Sequence, residues 1–157
     1  MTNPQPRACM TIDDFEVGLS FTKPYTITEE MVIKFSEVCD DWNPLHHDAA
    51  YARTTVFRRP IAHGMLSVSQ FSGIFGMDMP GLGAIWLHQG ADFLAPVYIG
   101  EPHTAVATVA HIDTETNTVT FTTECFDIDG KKVMTGEGKL KPVPAKVKAR
   151  MERKKAE

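Results

Sequence analysis

The chain has 157 residues and a formal net charge of −4, with 43% hydrophobic and 23% charged residues. That length suits one domain able to bury roughly 70% of its unfolded surface. Residues 1–138 carry 18 of the 20 acidic groups but only eight of the 16 Lys and Arg, so the body lacks the cationic face of a nonspecific nucleic-acid binder, and no run reaches the ~20 apolar residues of a membrane helix.

Residues 1–12 read as a loose leader without the apolar core of a secretory signal. Residues 15–27 read as extended chain with a turn near Gly18. Thr28 can cap the next helix, with Glu29 and Glu30 suiting the positive end of its dipole. Val32, Phe35, Val38 and Cys39 recur at helical spacing up to Asp40. Asn43-Pro44 breaks that helix, because a residue before proline is pushed out of the helical region. Asp48 can cap a short helix through Tyr51 and Ala52. After His63, the residues Met65, Leu66, Val68, Phe71, Ile74 and Phe75 cover most of a helical circumference, the mark of a core helix. Gly76 and then Pro80-Gly81 end it.

The remainder reads as strand. Residues 84–93 are extended with a bend at Gly90, and Pro96 suits an edge or bulge. Residues 104–109 alternate, residues 118–126 are rich in Thr, Val and Phe, and Asp129-Gly130 is a hairpin signal leading into residues 133–140. One extended segment, a buried helix and four antiparallel strands are most simply an α+β fold in which a curved antiparallel sheet wraps the helix. Residues 143–157 form a basic tail, expected to be a solvated extension. Cys9, Cys39 and Cys125 are too scattered for a disulfide framework, which points to a reducing, cytoplasmic setting.

The chemistry concentrates between the helices. Asp41 and His46 share one loop that Pro44 stiffens and that Asn43 can brace through its own side chain. Held about 3 Å from one water, a carboxylate and an imidazole could polarise it and handle its second proton. The bland alternative is an Asx-turn with an incidental histidine, and spacing leaves both open. His46, His47, Asp48, Asp40 and Asp41 are metal-ligating types, but adjacent histidines diverge and no HxxxH or HExxH spacing occurs, so no metal is expected.

Gly64 opens the core helix, where its N–H could meet a carbonyl oxygen that any side chain would obstruct; close packing is the other reading. Ser72 is by default satisfied by its own helix backbone, and His63 reads as a cap-region residue. Arg58 and Arg59 are ordinary surface charges by default, yet on an acidic body they are candidates for a phosphate-bearing ligand. The methionines and Phe71, Phe75 and Phe93 fit either a core or the lining of an apolar tunnel.

Phe35 through His46 resembles the hydratase motif of MaoC-like, (R)-specific enoyl-CoA hydratases, and Pro60 to Gly73 and Leu94 to Glu101 continue the similarity in order. The resemblance covers residues 13–142 as a single domain. It implies the hot-dog fold, a long central helix wrapped by an antiparallel sheet. The activity implied is reversible hydration of trans-2-enoyl-CoA to (R)-3-hydroxyacyl-CoA, with no metal or redox cofactor and with CoA arriving as part of the substrate. By position, Asp41 and His46 become the catalytic pair and Gly64 the backbone donor to the thioester carbonyl. Ser72 falls where the family has a serine near the active site, and Asn43 orients the loop.

The same resemblance implies a homodimer with active sites at or near the subunit interface. Asp40 stands where the family commonly has Gly; aspartate tolerates left-handed backbone better than most residues, so the turn is expected to survive. A hot-dog thioesterase, a 3-hydroxyacyl-acyl carrier protein dehydratase and a non-catalytic acyl-CoA-binding relative remain the rival readings.

Overall fold

The computed structural model describes residues 4–155. After a 3-10 turn at Ile12–Asp14, strand β1 (Ser20–Thr26) leads into helix α1 (Glu29–Cys39), and two short helices follow, α2 (Pro44–His47) and α3 (Ala49–Thr54). The core helix is α4 (Gly64–Met77). Then come β2 (Ile85–Gln89), β3 (Asp92–Phe93), β4 (Pro102–Asp113), β5 (Thr118–Asp127), β6 (Lys132–Lys141) and a final helix, α5 (Ala145–Lys155).

The strands form one antiparallel sheet in the order β1-β4-β5-β6-β2, with β3 also paired to β6. The bent strand expected over residues 84–93 is thus two strands on one partner, Ile85 lying opposite Lys141 and Asp92 opposite Thr135. The break sits where the Gly90 amide donates to the Glu137 carbonyl at 2.8 Å. Gly136 makes this crossing possible: a Cβ there would stand 2.1 Å from the Gly90 carbonyl oxygen.

Strand alternation sends Ala105, Ala107 and Val109 of β4 and Val119, Phe121, Thr123 and Cys125 of β5 to one fully buried face. The small alanines let α4 lie close, and its Phe71 and Ile74 have no exposed surface. Phe75 continues the contact, its ring 5.2 Å from those of Phe121 and Trp86. Burying these aromatics is what holds helix and sheet together.

Three local expectations are revised. On α1, Val38 and Cys39 face outward and the buried positions are Val32 and Ser36. Ser36 is inside because its hydroxyl meets two histidines, a polar reason that apolar periodicity does not register. The described part of the leader is docked, with Cys9 bridging Gly81, the Leu82 amide on the Ala8 carbonyl at 2.8 Å, and Arg7 ion-paired to the buried Asp78. Residues 145–155 are helical: Val143 is buried just before α5, and Lys148 pairs with Asp14 at 3.5 Å. Residues 1–3 and 156–157 lie outside the described residues.

Candidate active site

The turn that ends α1 sets up the site. Asp40 adopts a left-handed conformation (φ 59°) as its amide closes the helix on the Ser36 carbonyl at 2.8 Å. The aspartate tolerates the backbone that a glycine would adopt more readily. The chain then reverses into Asp41, whose Oδ1 accepts the Asn43 amide at 3.2 Å, while Asn43 Oδ1 accepts the Leu45 amide at 3.0 Å and so caps α2. Asn43 is thus held by the Asp41 side chain and in turn caps α2, so the Asx-turn read from the sequence is present.

His46 projects from α2 toward the start of α4. Its Nδ1 lies 2.7 Å from the Ile61 carbonyl oxygen, which can only accept, so Nδ1 carries the proton and Nε2 is left as an acceptor. Nε2 faces Asp41 Oδ2 across 3.9 Å. That gap is too wide for a direct hydrogen bond and suited to one water touching both. The His46 side chain is 11% exposed and that of Asp41 48%, so the pair stands at the edge of the solvent rather than sealed from it.

His63, read from the sequence as a cap residue, is part of this cluster. It does precede α4, but its side chain makes no cap hydrogen bond. Its ring stacks on that of His46 with centroids 3.8 Å apart, and its Nε2 donates to the Asp41 carbonyl at 3.1 Å. Ser36 Oγ lies 3.3 Å from His63 Nε2 and 2.9 Å from His47 Nε2, tying α1 to both α2 and the head of α4. Burial pushes the His63 imidazole below its ordinary pKa; the bond to the Asp41 carbonyl opposes that, and nearby His46 adds to it. No helical spacing links Ser36, His47 and His63, so only the fold reveals the network.

Asp41, His46 and His63 offer three ligand atoms within 4.8 Å of one another, enough in type and number for a cation. Binding one through His63 Nε2 would cost that nitrogen its bond to the Asp41 carbonyl and move its proton to Nδ1. That atom is buried without a partner among the described residues. The hydrogen bonding in place thus favours a proton-handling cluster over a metal centre.

Two cavities meet at Gly64 and Met65. One, of about 430 Å³, holds Asp41, His46, His63, Phe35 and Cys39. The other, of about 440 Å³, is apolar and runs past His46 and Gly64 to Phe57, Phe93, Val133 and Met134. As the first residue of α4, Gly64 has an N–H with no intrahelical acceptor, at the positive end of the helix. Ser72 is not with this group. It is exposed and lines a third cavity with Val68, Trp86 and Gln89, which is joined to the Asp41 cavity through Phe35 and Met65. Of the two arginines, Arg59 stacks on Tyr98, 3.7 Å from the ring centre, and pairs with Glu101, while Arg58 has no carboxylate partner among the described residues.

Comparison with known proteins bears on the chain as a whole. Residues 15–131 match the family model described as MaoC like domain. The chain is 42% identical over 134 residues to the (R)-specific enoyl-CoA hydratase of Rhodospirillum rubrum, covering 85% of this chain and 92% of that one. It is 39% identical over 132 residues to the (R)-specific enoyl-CoA hydratase of Aeromonas caviae, covering 84% and 98%. A solved structure described as the (R)-hydratase from A. caviae involved in PHA biosynthesis superposes with a TM-score of 0.81 at 38% identity, over 83% of this chain and 98% of that one.

Proposed function

Since the chain belongs to the MaoC-like domain family, we propose that it adds water reversibly across the 2,3 double bond of a trans-2-enoyl-CoA to give an (R)-3-hydroxyacyl-CoA. Its fold is the hot-dog fold, shared with the solved R-hydratases it resembles. The observation that carries the reading is the 3.9 Å gap between Asp41 Oδ2 and His46 Nε2, beside the head of α4.

A water seated in that gap attacks C3. One of its protons passes to the Asp41–His46 pair, its hydroxyl stays on C3, and the pair returns one proton to C2. His46 works through Nε2 alone, because the Ile61 carbonyl holds Nδ1 in a fixed tautomer. Charge accumulating on the thioester oxygen is met by the Gly64 N–H, so the double bond is polarised while the water is delivered. Asn43 keeps the carboxylate in place, and His63, through the Asp41 carbonyl and the stacked His46 ring, keeps both halves of the pair in register. In this reading Ser72 touches the substrate from the adjoining cavity, which it lines with Val68 and Trp86.

The reading includes a soluble cytoplasmic homodimer. Support for a reducing setting comes from three free thiols, of which Cys125 is buried with its pKa pushed up to about 11. No described helix is long and apolar enough to cross a membrane. Support for a dimer comes from the sheet edges. The β1 edge carries Lys23 and Pro24, which discourage pairing, whereas β2 exposes Ile85 at 58% and Leu87 at 51%.

The test is a crotonyl-CoA assay that follows loss of the enoyl absorbance, release of free thiol and the configuration of the product at C3. An (R)-3-hydroxy product without thiol release is expected. Asp41→Asn and His46→Ala should each lower kcat about 10²–10⁴-fold in protein that remains folded. Thiol release in place of hydration would make the protein a thioesterase, and ligand binding with no turnover would make it a non-catalytic relative.

A further inference from the structure

Three arginines lie between the end of α3 and the start of α4, Arg53 on α3 and Arg58 and Arg59 in the loop after it, and they are not equivalent. Arg7, Lys34, Arg59 and Lys132 each sit on a carboxylate. Arg53 and Arg58, both exposed, have no carboxylate within ion-pair distance among the described residues, although the body around them is acidic. They are also held together. Arg58 Nη1 donates to the Arg53 carbonyl at 3.2 Å, which brings the Arg58 guanidinium to the end of α3 and leaves its other N–H groups free. Arg58 has φ 65°, a left-handed backbone that a bulky L residue rarely adopts, so the loop turns there in an unusual way.

The residues flanking that turn are those of the site. Phe57, immediately before Arg58, and Ile61, three residues after it, both line the apolar cavity that reaches His46 and Gly64. The Ile61 carbonyl is the one that fixes the His46 tautomer. Arg58 lies six residues before Gly64 and so no more than about 20 Å from it. Arg58 is thus an exposed cation next in sequence to a residue of the cavity wall, hydrogen-bonded to the backbone of a second cation, Arg53, an arrangement suited to a ligand with an extended, mostly apolar arm that ends in an anion.

We propose that Arg53 and Arg58 form an anion site beside this cavity, and that it holds the phosphate of the substrate's phosphopantetheine arm. The inference rests on the hydratase reading for the identity of the arm, since CoA esters and carrier-protein esters share that phosphate. Arg59, neutralised by Glu101 and stacked on Tyr98, holds the loop in place and takes no part in binding the anion.

The experiment compares wild type with Arg53→Gln, Arg58→Gln and the double variant on crotonyl-CoA, crotonyl-pantetheine (which lacks phosphate) and a crotonyl-carrier protein. Calorimetric titration with free CoA and free pantetheine is run alongside. The double variant should raise KM for crotonyl-CoA about tenfold with kcat nearly unchanged, leave crotonyl-pantetheine unaffected, and weaken free CoA binding by a similar factor. Added salt should shrink the wild-type advantage.

A matching loss with the carrier-protein ester supports the shared phosphate as the ligand; a loss confined to CoA overturns that assignment, because it points to the nucleotide phosphates instead. Equal losses on crotonyl-pantetheine, or none on CoA, overturn the inference. If no ester is hydrated, the hydratase reading falls, while CoA binding that depends on the two arginines still upholds the anion site.

Discussion

A Cβ built on Gly64 would stand 2.8 Å from the Phe93 ring, at the point where the first amide of α4 meets the cavity. Gly64→Ala should therefore cut kcat/KM about 10²–10³-fold, the usual cost of losing one oxyanion donor, with little change in circular dichroism. Phe93→Ala in the same chain separates two causes. Recovery of activity would mean that a displaced ring was at fault; no recovery means that the methyl group itself blocks the amide. His63 supplies a second residue-level prediction. Burial holds its folded-state pKa below the unfolded value, so the folded state binds the proton more weakly than the unfolded chain does. Its effect on stability is therefore absent above the ordinary His pKa of about 6.5 and becomes a growing penalty as pH falls below it. Melting temperature should drop between pH 7 and pH 5 in the wild type, and His63→Gln should flatten that part of the curve. An unchanged slope would assign the acid sensitivity to other groups.

Among the elements, those with strong periodicity or punctuation were legible in the sequence. The apolar circumference of α4, the Thr28 cap and the Asp129-Gly130 hairpin lie where local chemistry puts them, whereas α1 already stops at Cys39 and Asn43-Pro44 opens α2 instead of breaking α1. Asp41 and Asn43 do share a turn, but His46, which reads from the sequence as part of the same loop, stands on the short helix α2 that Asn43 caps. Ser36 and His63 were not legible, since their meaning depends on three elements converging and no spacing rule spans 27 residues. The docking of α5 and of residues 7–10 was equally hidden, because backbone hydrogen bonds to Met77 and Pro80 and ion pairs to Asp78 and Asp14 leave no periodicity in the sequence. Strand β2 carries the prediction at this scale. If a second copy pairs along its exposed edge, Leu87→Lys should shift the protein to monomer in analytical ultracentrifugation and lower activity with it. A dimer that survives the charge would place the subunit contact elsewhere.

For the molecule as a whole, the two ends of the described chain are fastened to the far end of α4 and the turn after it. Gly81 is the tightest point of that closure, with φ 82° and a hypothetical Cβ 2.2 Å from the Ala8 carbonyl oxygen. Gly81→Ala should release residues 7–10 and lower the melting temperature measurably, the change being strained in both backbone and contact. Activity per folded molecule should persist, since Asp41 and His46 are held by other elements; hydrogen exchange at Leu82 would report the release. Half of the 16 basic residues fall within residues 139–155, on β6 and α5, while 18 of the 20 acidic residues precede them. An anionic surface should therefore be approached through that stretch, a preference that added salt would weaken.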